Sequence, residues 1–226
     1  MRISVPDMTY SITMLLCETF AVGAFQCNCT VLACADTKDA VIIDPGGGVD
    51  RIRELVEHYD LTVRAVIHTH AHLDHIYCTR AVKDAHGGEV CLHKADMPLY
   101  QGFAMQAAMF GWQVPETVAV ERFIEHGDVI ELGKKRIEVI HTPGHTPGSV
   151  CFEIEDEGRT IVFAGDTLFR RSIGRTDLPG GDPRLIARSI RERLYTRTPD
   201  ALVIPGHGPN TTIAEEAAKN PFVSAS

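Results

Sequence analysis

Short apolar runs bounded by turn residues set the rhythm of this chain. Runs rich in Val, Ile and Cys predict strands over 27–34, 40–43, 64–69, 89–93, 128–132, 135–140, 149–155, 160–164 and 201–204. Within 135–140, Arg136, Glu138 and Ile140 share one face, and Ile137 and Val139 the other. Asp156-Glu157-Gly158-Arg159 reads as a hairpin turn. A 3.6-residue period predicts two longer helices. Over 49–59, Ile52, Leu55, Val56 and Tyr59 line one face; over 182–194, Leu185, Ile186, Ser189 and Ile190 do. Shorter helices are predicted over 74–85, 94–110 and 211–219. Strands come first, then mixed helices and strands, then both again. That order favours two sheets with helices outside over one doubly wound parallel sheet.

The chain has 226 residues, 44% hydrophobic and 23% charged, values usual for a globular protein. One domain over 1–226 is expected, with residues 1–10 disordered and Met8 or Met14 as alternative start points. No apolar run approaches the ~20 residues needed to cross a bilayer. The longest, 10–25, contains Glu18; Arg2 is opposed by Asp7, so no signal peptide is expected. A net charge of −8, with no Lys/Arg run longer than the three residues Lys134-Lys135-Arg136, argues against nucleic acid and anionic membranes as partners. Seven irregularly spaced cysteines suit reduced thiols and a cytoplasmic location. Cys27 and Cys29 are read as flanking a strand-borne Asn28. Asp44-Pro45-Gly46-Gly47-Gly48 lacks the Lys-Ser/Thr of a phosphate loop, so its glycines are read as a sharp strand-to-helix turn.

The eleven histidines are grouped. His68, His70, His72, Asp74 and His75 leave an apolar strand and enter a helical pattern. Residues two apart on an extended chain point the same way, so His70 and His72 can grip one ion. Four ligand-type groups within the six residues from His70 to His75 can hardly all serve one tetrahedral ion; two adjacent ions, or one with outer support, follow. His145, Asp166 and His207 come later, each after an apolar strand and each next to Gly.

The order His70-x-His72-x-Asp74-His75, His145, Asp166, His207 resembles the metal signature of the metallo-β-lactamase fold superfamily. The resemblance implies an αββα four-layer sandwich with metals at one edge. It implies that His70, His72 and His145 hold one ion, that Asp74, His75 and His207 hold the other, and that Asp166 bridges them. Asp166-Thr167-Leu168-Phe169, Gly174-Arg175-Thr176-Asp177 and Asp44-Pro45-Gly46-Gly47 are similar to glyoxalase II (hydroxyacylglutathione hydrolase) and its short bacterial relatives. By that likeness Arg175 binds a substrate carboxylate. Only 19 residues follow His207, where glyoxalase II has a helical glutathione-holding region.

Imidazole and carboxylate donors suit zinc first, with iron or manganese as alternatives. Two ions about 3.5–4 Å apart can turn a shared water into hydroxide near neutral pH. Thiolate leaves without a proton, whereas an amide nitrogen needs one. The expected function is therefore hydrolysis of a small acyl thioester, S-lactoylglutathione among them, with Asp74 and Asp166 as catalytic carboxylates. The stretch Gly174-Arg175-Thr176-Asp177 also resembles the persulfide dioxygenases, which implies the alternative of one iron on His70, His145 and Asp166; a non-catalytic metal-binding protein is a third reading. His68 is read as a strand residue and His141 as a possible outer support. His58, His86, His93 and His126 are read as surface or packing residues. The segment from Met97 to Trp112 is read as a core helix, or as an apolar wall beside the site.

Overall fold

The computed structural model describes residues 15–114 and 116–224. The expectations for residues 1–10 and for the start point lie outside the described residues. One sheet comprises, in both chain and spatial order, β1 (Leu15–Val22), β2 (Cys27–Cys34), β3 (Asp39–Ile43), β4 (Thr62–Ile67), β5 (Glu89–His93) and β6 (Arg122–Ile124). The other uses β7 (Val129–Leu132), β8 (Lys135–His141), β9 (Val150–Asp156) and β10 (Arg159–Gly165). A small ribbon of β11 (Leu168–Phe169) and β12 (Ser172–Ile173) precedes β13 (Leu202–Pro205) and β14 (Thr211–Thr212). The second sheet has the order β14-β13-β10-β9-β8-β7.

Between the sheets lies one apolar layer, with Leu32, Val41 and Ile67 from the first and Val139, Phe152 and Phe163 from the second. Truncating fully buried Phe152 to Ala would cost about 3–5 kcal/mol. The outer faces are covered by helices. Ile52, Leu55 and Val56 of α1 (Val49–His58) pack on Val31, Ala33 and Ile42. Between α1 and the second sheet's cover come four short helices: α2 (Leu73–Ile76), α3 (Thr79–His86), α4 (Met97–Gln101) and α5 (Phe103–Met109). Ile186 of α6 (Pro183–Ser189) and Ile213 of α7 (Ile213–Lys219) pack on Ile140, Val162 and Val203. This is the four-layer αββα order. No helix among the described residues is long and apolar enough to cross a membrane.

Several elements differ from the sequence expectation. The 74–85 helix is two, α2 and α3, separated at Tyr77 and Cys78; the 94–110 helix is a 3₁₀ turn followed by α4 and α5 on either side of Gly102. The 182–194 helix starts as expected, with Asp182 accepting from the Arg184 and Leu185 amides, then widens to a π turn over Ile190–Leu194. β1, β6, β11, β12 and β14 were not expected. The 156–159 hairpin turn is present, with Glu157 and Gly158 at positive φ.

Candidate metal centre

Four strand ends deliver the candidate residues. The segment after β4 carries His70 and His72 into α2, which carries Asp74 and His75. The loops after β8, β10 and β13 carry His145, Asp166 and His207. A bulge at Arg64, where β4 slips one residue against β3, turns Ala65 and Ile67 into the inter-sheet core.

The seven side chains meet. Their ligand-type atoms form three groups, each within 4.8 Å: His70, His72 and His145; His70, His75 and Asp166; Asp74, His75 and His207. Asp166 lies between them. Its Oδ2 is 3.5 Å from His145 Nε2, and its Oδ1 is 3.4 Å from His75 Nε2 and 3.7 Å from His207 Nε2. His72 Nδ1 lies 2.9 Å from His145 Nε2, and His207 Nε2 lies 3.1 Å from Asp74 Oδ2.

The far nitrogen of each ring fixes which nitrogen faces inward. Carbonyls only accept, so the proton sits on His145 Nδ1 toward the Arg175 carbonyl (2.7 Å) and on His207 Nδ1 toward the Phe25 carbonyl (3.0 Å). His75 Nδ1 donates to Asp44 Oδ2 at 2.9 Å. The Thr69 hydroxyl spends its proton on Asp44, so it accepts from His70 Nδ1 at 3.1 Å. All four rings then turn Nε2 toward the centre, where a ring that carries only its Nδ1 proton offers a lone pair. This is the outer arrangement that metal-ligating histidines use.

The donor set fits divalent ions. His70 Nε2, His75 Nε2 and Asp166 Oδ1 are buried with no hydrogen-bond partner. Leaving buried polar atoms so is unfavourable, and a cation satisfies all three at once. Gly206 is required here, because a Cβ would collide with Asp166 Oδ1 and crowd His75.

Charge divides the centre. Burial, then neighbouring histidines, holds His70 well below its ordinary pKa and His72 at about 4. Burial opposes charge on His75 too, but Cys27, Asp74, Asp44 and Asp166 outweigh it and push the ring well above the usual range. His207 is raised against its own burial by the Asp74 hydrogen bond and by Asp166. For Asp166, burial is outweighed by His75, His145 and His207, which hold the carboxyl well below its usual range. Asp74 is lowered against burial by His75 and His207.

Other sequence candidates lie elsewhere. His68 is buried against α3, 3.2 Å from Thr79 Oγ1. His141 stacks on His93, with centroids 4.1 Å apart, and reaches the Pro147 carbonyl. The Arg175 guanidinium is exposed and forks onto Asp177 at 2.8 and 2.6 Å, while its carbonyl receives His145. All seven cysteines are free; Cys27 and Cys29 are buried in β2 on either side of Asn28.

Four supports escaped the sequence reading. Asp44 accepts from His75, from the Thr69 amide (2.8 Å) and from the Thr69 hydroxyl (2.6 Å). Its position, an acid at the end of a buried parallel strand next to the His-bearing one, was the available signal. Buried Asp96 ties the two histidine loops together through the Ala71 amide, the Gly148 amide and the Thr146 hydroxyl. Gln106 brackets the first loop, accepting from the Leu73 amide and donating to the Ala71 carbonyl. Asn28 holds the last loop by donating to the Pro205 and Gly208 carbonyls.

Comparison with known proteins agrees with this architecture. Residues 22–207 match the family model of the metallo-beta-lactamase superfamily. The chain is 38% identical over 210 residues to hydroxyacylglutathione hydrolase GloC of Haemophilus influenzae, covering 92% of this chain and 98% of that protein. Among solved structures, BLEG-1 B3 metallo-beta-lactamase superposes with TM-score 0.81 at 35% identity, covering 93% of this chain and 99% of that one. TTHA1623 in a di-iron-bound form gives TM-score 0.80 at 36% identity, covering 91% and 100%. The chain belongs to the metallo-β-lactamase superfamily.

Proposed function

We propose that this protein is a binuclear metal-dependent hydrolase of small acyl thioesters. The observation that carries the reading is Asp166, whose two oxygens face two separate donor groups. His70, His72 and His145 would hold one ion and Asp74, His75 and His207 the other. Zinc is the expected metal, with iron or manganese as alternatives; the di-iron form of TTHA1623 supports two ions and admits iron. Bound there, two divalent ions supply an acidified water and positive charge beside a carbonyl oxygen.

The chain's own groups would do the rest. Asp74, which is partly exposed and 3.1 Å from His207 Nε2, would offer its carboxylate to orient a water at the centre. Asp44 keeps the His75 ring from turning, and Asp96 and Asn28 hold the loops that carry His70, His72, His145 and His207. A thiol of pKa about 8.5 departs as thiolate without a donor. The GloC relative's name supports thioester chemistry, with S-lactoylglutathione as one substrate. Arg175 would meet a carboxylate on the thiol carrier after release from Asp177. Free cysteines and an acidic surface support a cytoplasmic enzyme of small molecules rather than of nucleic acid or membranes.

The test is a panel of thioesters and nitrocefin, assayed after metal analysis. Two ions per chain and preferential thioester cleavage are expected. The BLEG-1 structure's name sets the competing substrate: efficient nitrocefin hydrolysis with no thioesterase activity overturns the reading. One iron per chain, with oxygen uptake on glutathione persulfide, replaces it with a dioxygenase.

A further inference from the structure

The lip of the centre carries an apolar surface that the ligand residues do not explain. The β1–β2 turn places Phe25 there, because its carbonyl accepts from His207 Nδ1 at 3.0 Å. The Phe25 ring stacks on Trp112 (5.4 Å between centroids) and meets Phe110 edge-on (5.0 Å); Tyr77 meets Trp112 edge-on at 5.2 Å. Phe25 is 42% exposed and Phe110 52%; on the neighbouring α5, Met105 and Met109 are 73% and 75% exposed. An i, i+4 pair of exposed methionines on the helix that leads into this cluster of four aromatic rings is unusual for a solvated helix face.

The patch is also fastened to the centre from a second side. Gln106 of α5 bonds Ala71 and Leu73, which flank His72. Both α5 and the Phe25 turn are thus positioned by the segments that carry candidate ligands. A pocket wall has this property; a face meant for a separate partner does not need it. Met and aromatic side chains suit an apolar ligand of variable shape.

We propose that this patch binds an apolar group of the substrate, so that the preferred thioesters carry an aromatic or medium-chain aliphatic group. The inference rests on the thioesterase reading for the chemistry, and only on the patch for the selectivity. His145 and His207 lie on opposite sides of Asp166, facing Oδ2 and Oδ1. A thioester seated at the centre therefore sends one arm past His207 toward the patch, and the other past His145 toward Arg175. The apolar group can be the acyl or the thiol arm.

Trp112 is the single tryptophan of the chain, so its emission reports directly on the patch. The metal-loaded protein is titrated with non-hydrolysable thioethers carrying methyl, octyl or phenyl groups. Saturable blue shifts are expected for octyl and phenyl only. In parallel, turnover is compared for acetyl and octanoyl esters of one polar thiol, and for acetyl esters of a polar and an apolar thiol. One of the two series should show about a tenfold or larger preference for the apolar member, and which one does identifies the arm. Phe110→Ala should reduce that preference about tenfold. Phe222→Ala, an equally exposed phenylalanine beside α7, should leave it intact.

Blue shifts without any thioester turnover leave the patch assignment standing and sink the thioesterase reading. Thioester turnover with no preference in either series, and no blue shift, sinks the patch assignment alone. Light scattering that shows a dimer dispersed by Phe110→Glu, with Trp112 silent to the thioethers, also overturns it in favour of a self-contact.

Discussion

The two halves of the metal centre are built from similar residues and charged in opposite ways. In the His70, His72 and His145 half, burial and mutual repulsion keep His70 and His72 neutral. In the Asp74, His75 and His207 half, Asp74 and Asp166 raise both rings against burial, and Asp44 adds to His75. Neutral imidazole is ready to bind a cation; protonated imidazole must first lose its proton. On the proposed two-ion reading, the first half would accept an ion with little proton competition at His70 and His72, and the second would exchange protons for its ion, with Asp166 between them.

The strongest way to break this comparison is to remove the residue common to both halves. Asp166→Ala should lower turnover by at least about 10³-fold and release at least one ion, because positive charge on both sides loses its compensation. Elemental analysis beside kinetics checks it. Wild-type activity with two ions retained would refute the bridging role.

The next effect falls mainly on the second half, because Asp44 touches His75 directly and His70 only through Thr69. Asp44→Ala leaves the Thr69 amide, the Thr69 hydroxyl and His75 Nδ1 without their acceptor. A stability loss of about 3 kcal/mol is expected from donors left buried. Loss of the His75 tether should also weaken the second-half ion about 10–100-fold, and the freed Thr69 hydroxyl should weaken the first-half ion less. Competition with a chelator separates the two ions. Equal weakening of both would mean that the halves are not distinct.

Proton linkage sharpens the comparison with a smaller effect. His72 is folded with a pKa of about 4 and unfolded near 6.5, so the unfolded chain takes up more protons between those values. Metal-free stability therefore falls as pH drops from 6.5 toward 4; His93, pushed to about 4 by burial and His141, adds in the same direction. His75 and His207 are raised, so their contribution is full below about 6.5 and is lost as pH rises through their folded pKa values. The metal-free melting temperature should peak near pH 6 to 7 and fall on both sides. The gain in melting temperature on adding metal should grow from pH 6 to 8, as protons leave the second half. A gain independent of pH would argue that His75 and His207 are neutral before the ion arrives.

The sequence reading reached the seven meeting residues because they are set by spacing and by strand ends. It reached the layered fold because β2–β5 and β8–β10 are short runs rich in Val, Ile and Cys, apolar or alternating, with turn residues between. It did not reach Asp44, Asp96 or Gln106. Each acts through contacts 25 to 52 residues away in the chain, and no local period marks such a residue. β1 was missed because its half-buried run, Leu15–Val22, includes Glu18 and Thr19 where a strand core would be apolar. The breaks at Gly102 and at Tyr77 and Cys78 reflect tertiary demands: α2 must stop after presenting Asp74 and His75, and α5 must turn to reach Ala71 and Leu73 with Gln106.

Arg175 carries the smallest expected effect, and its place next to His145 decides what kind of effect. Its carbonyl fixes the His145 tautomer, while its guanidinium leaves the centre and closes on Asp177. Side-chain truncation therefore leaves the His145 contact in place, and kcat should stay within about twofold. A substrate carboxylate would have to draw the arginine from Asp177, exchanging one exposed ion pair for another. Such exchanges are weak. Arg175→Ala should accordingly raise KM only about two- to fivefold for a carboxylate-bearing thioester, and not at all for an uncharged one. Asp177→Asn frees the guanidinium and should lower that KM. High salt should shrink both effects. A large kcat loss in Arg175→Ala, with KM unchanged, would instead assign the side chain to holding the His145 loop, through Asp177, rather than to the substrate.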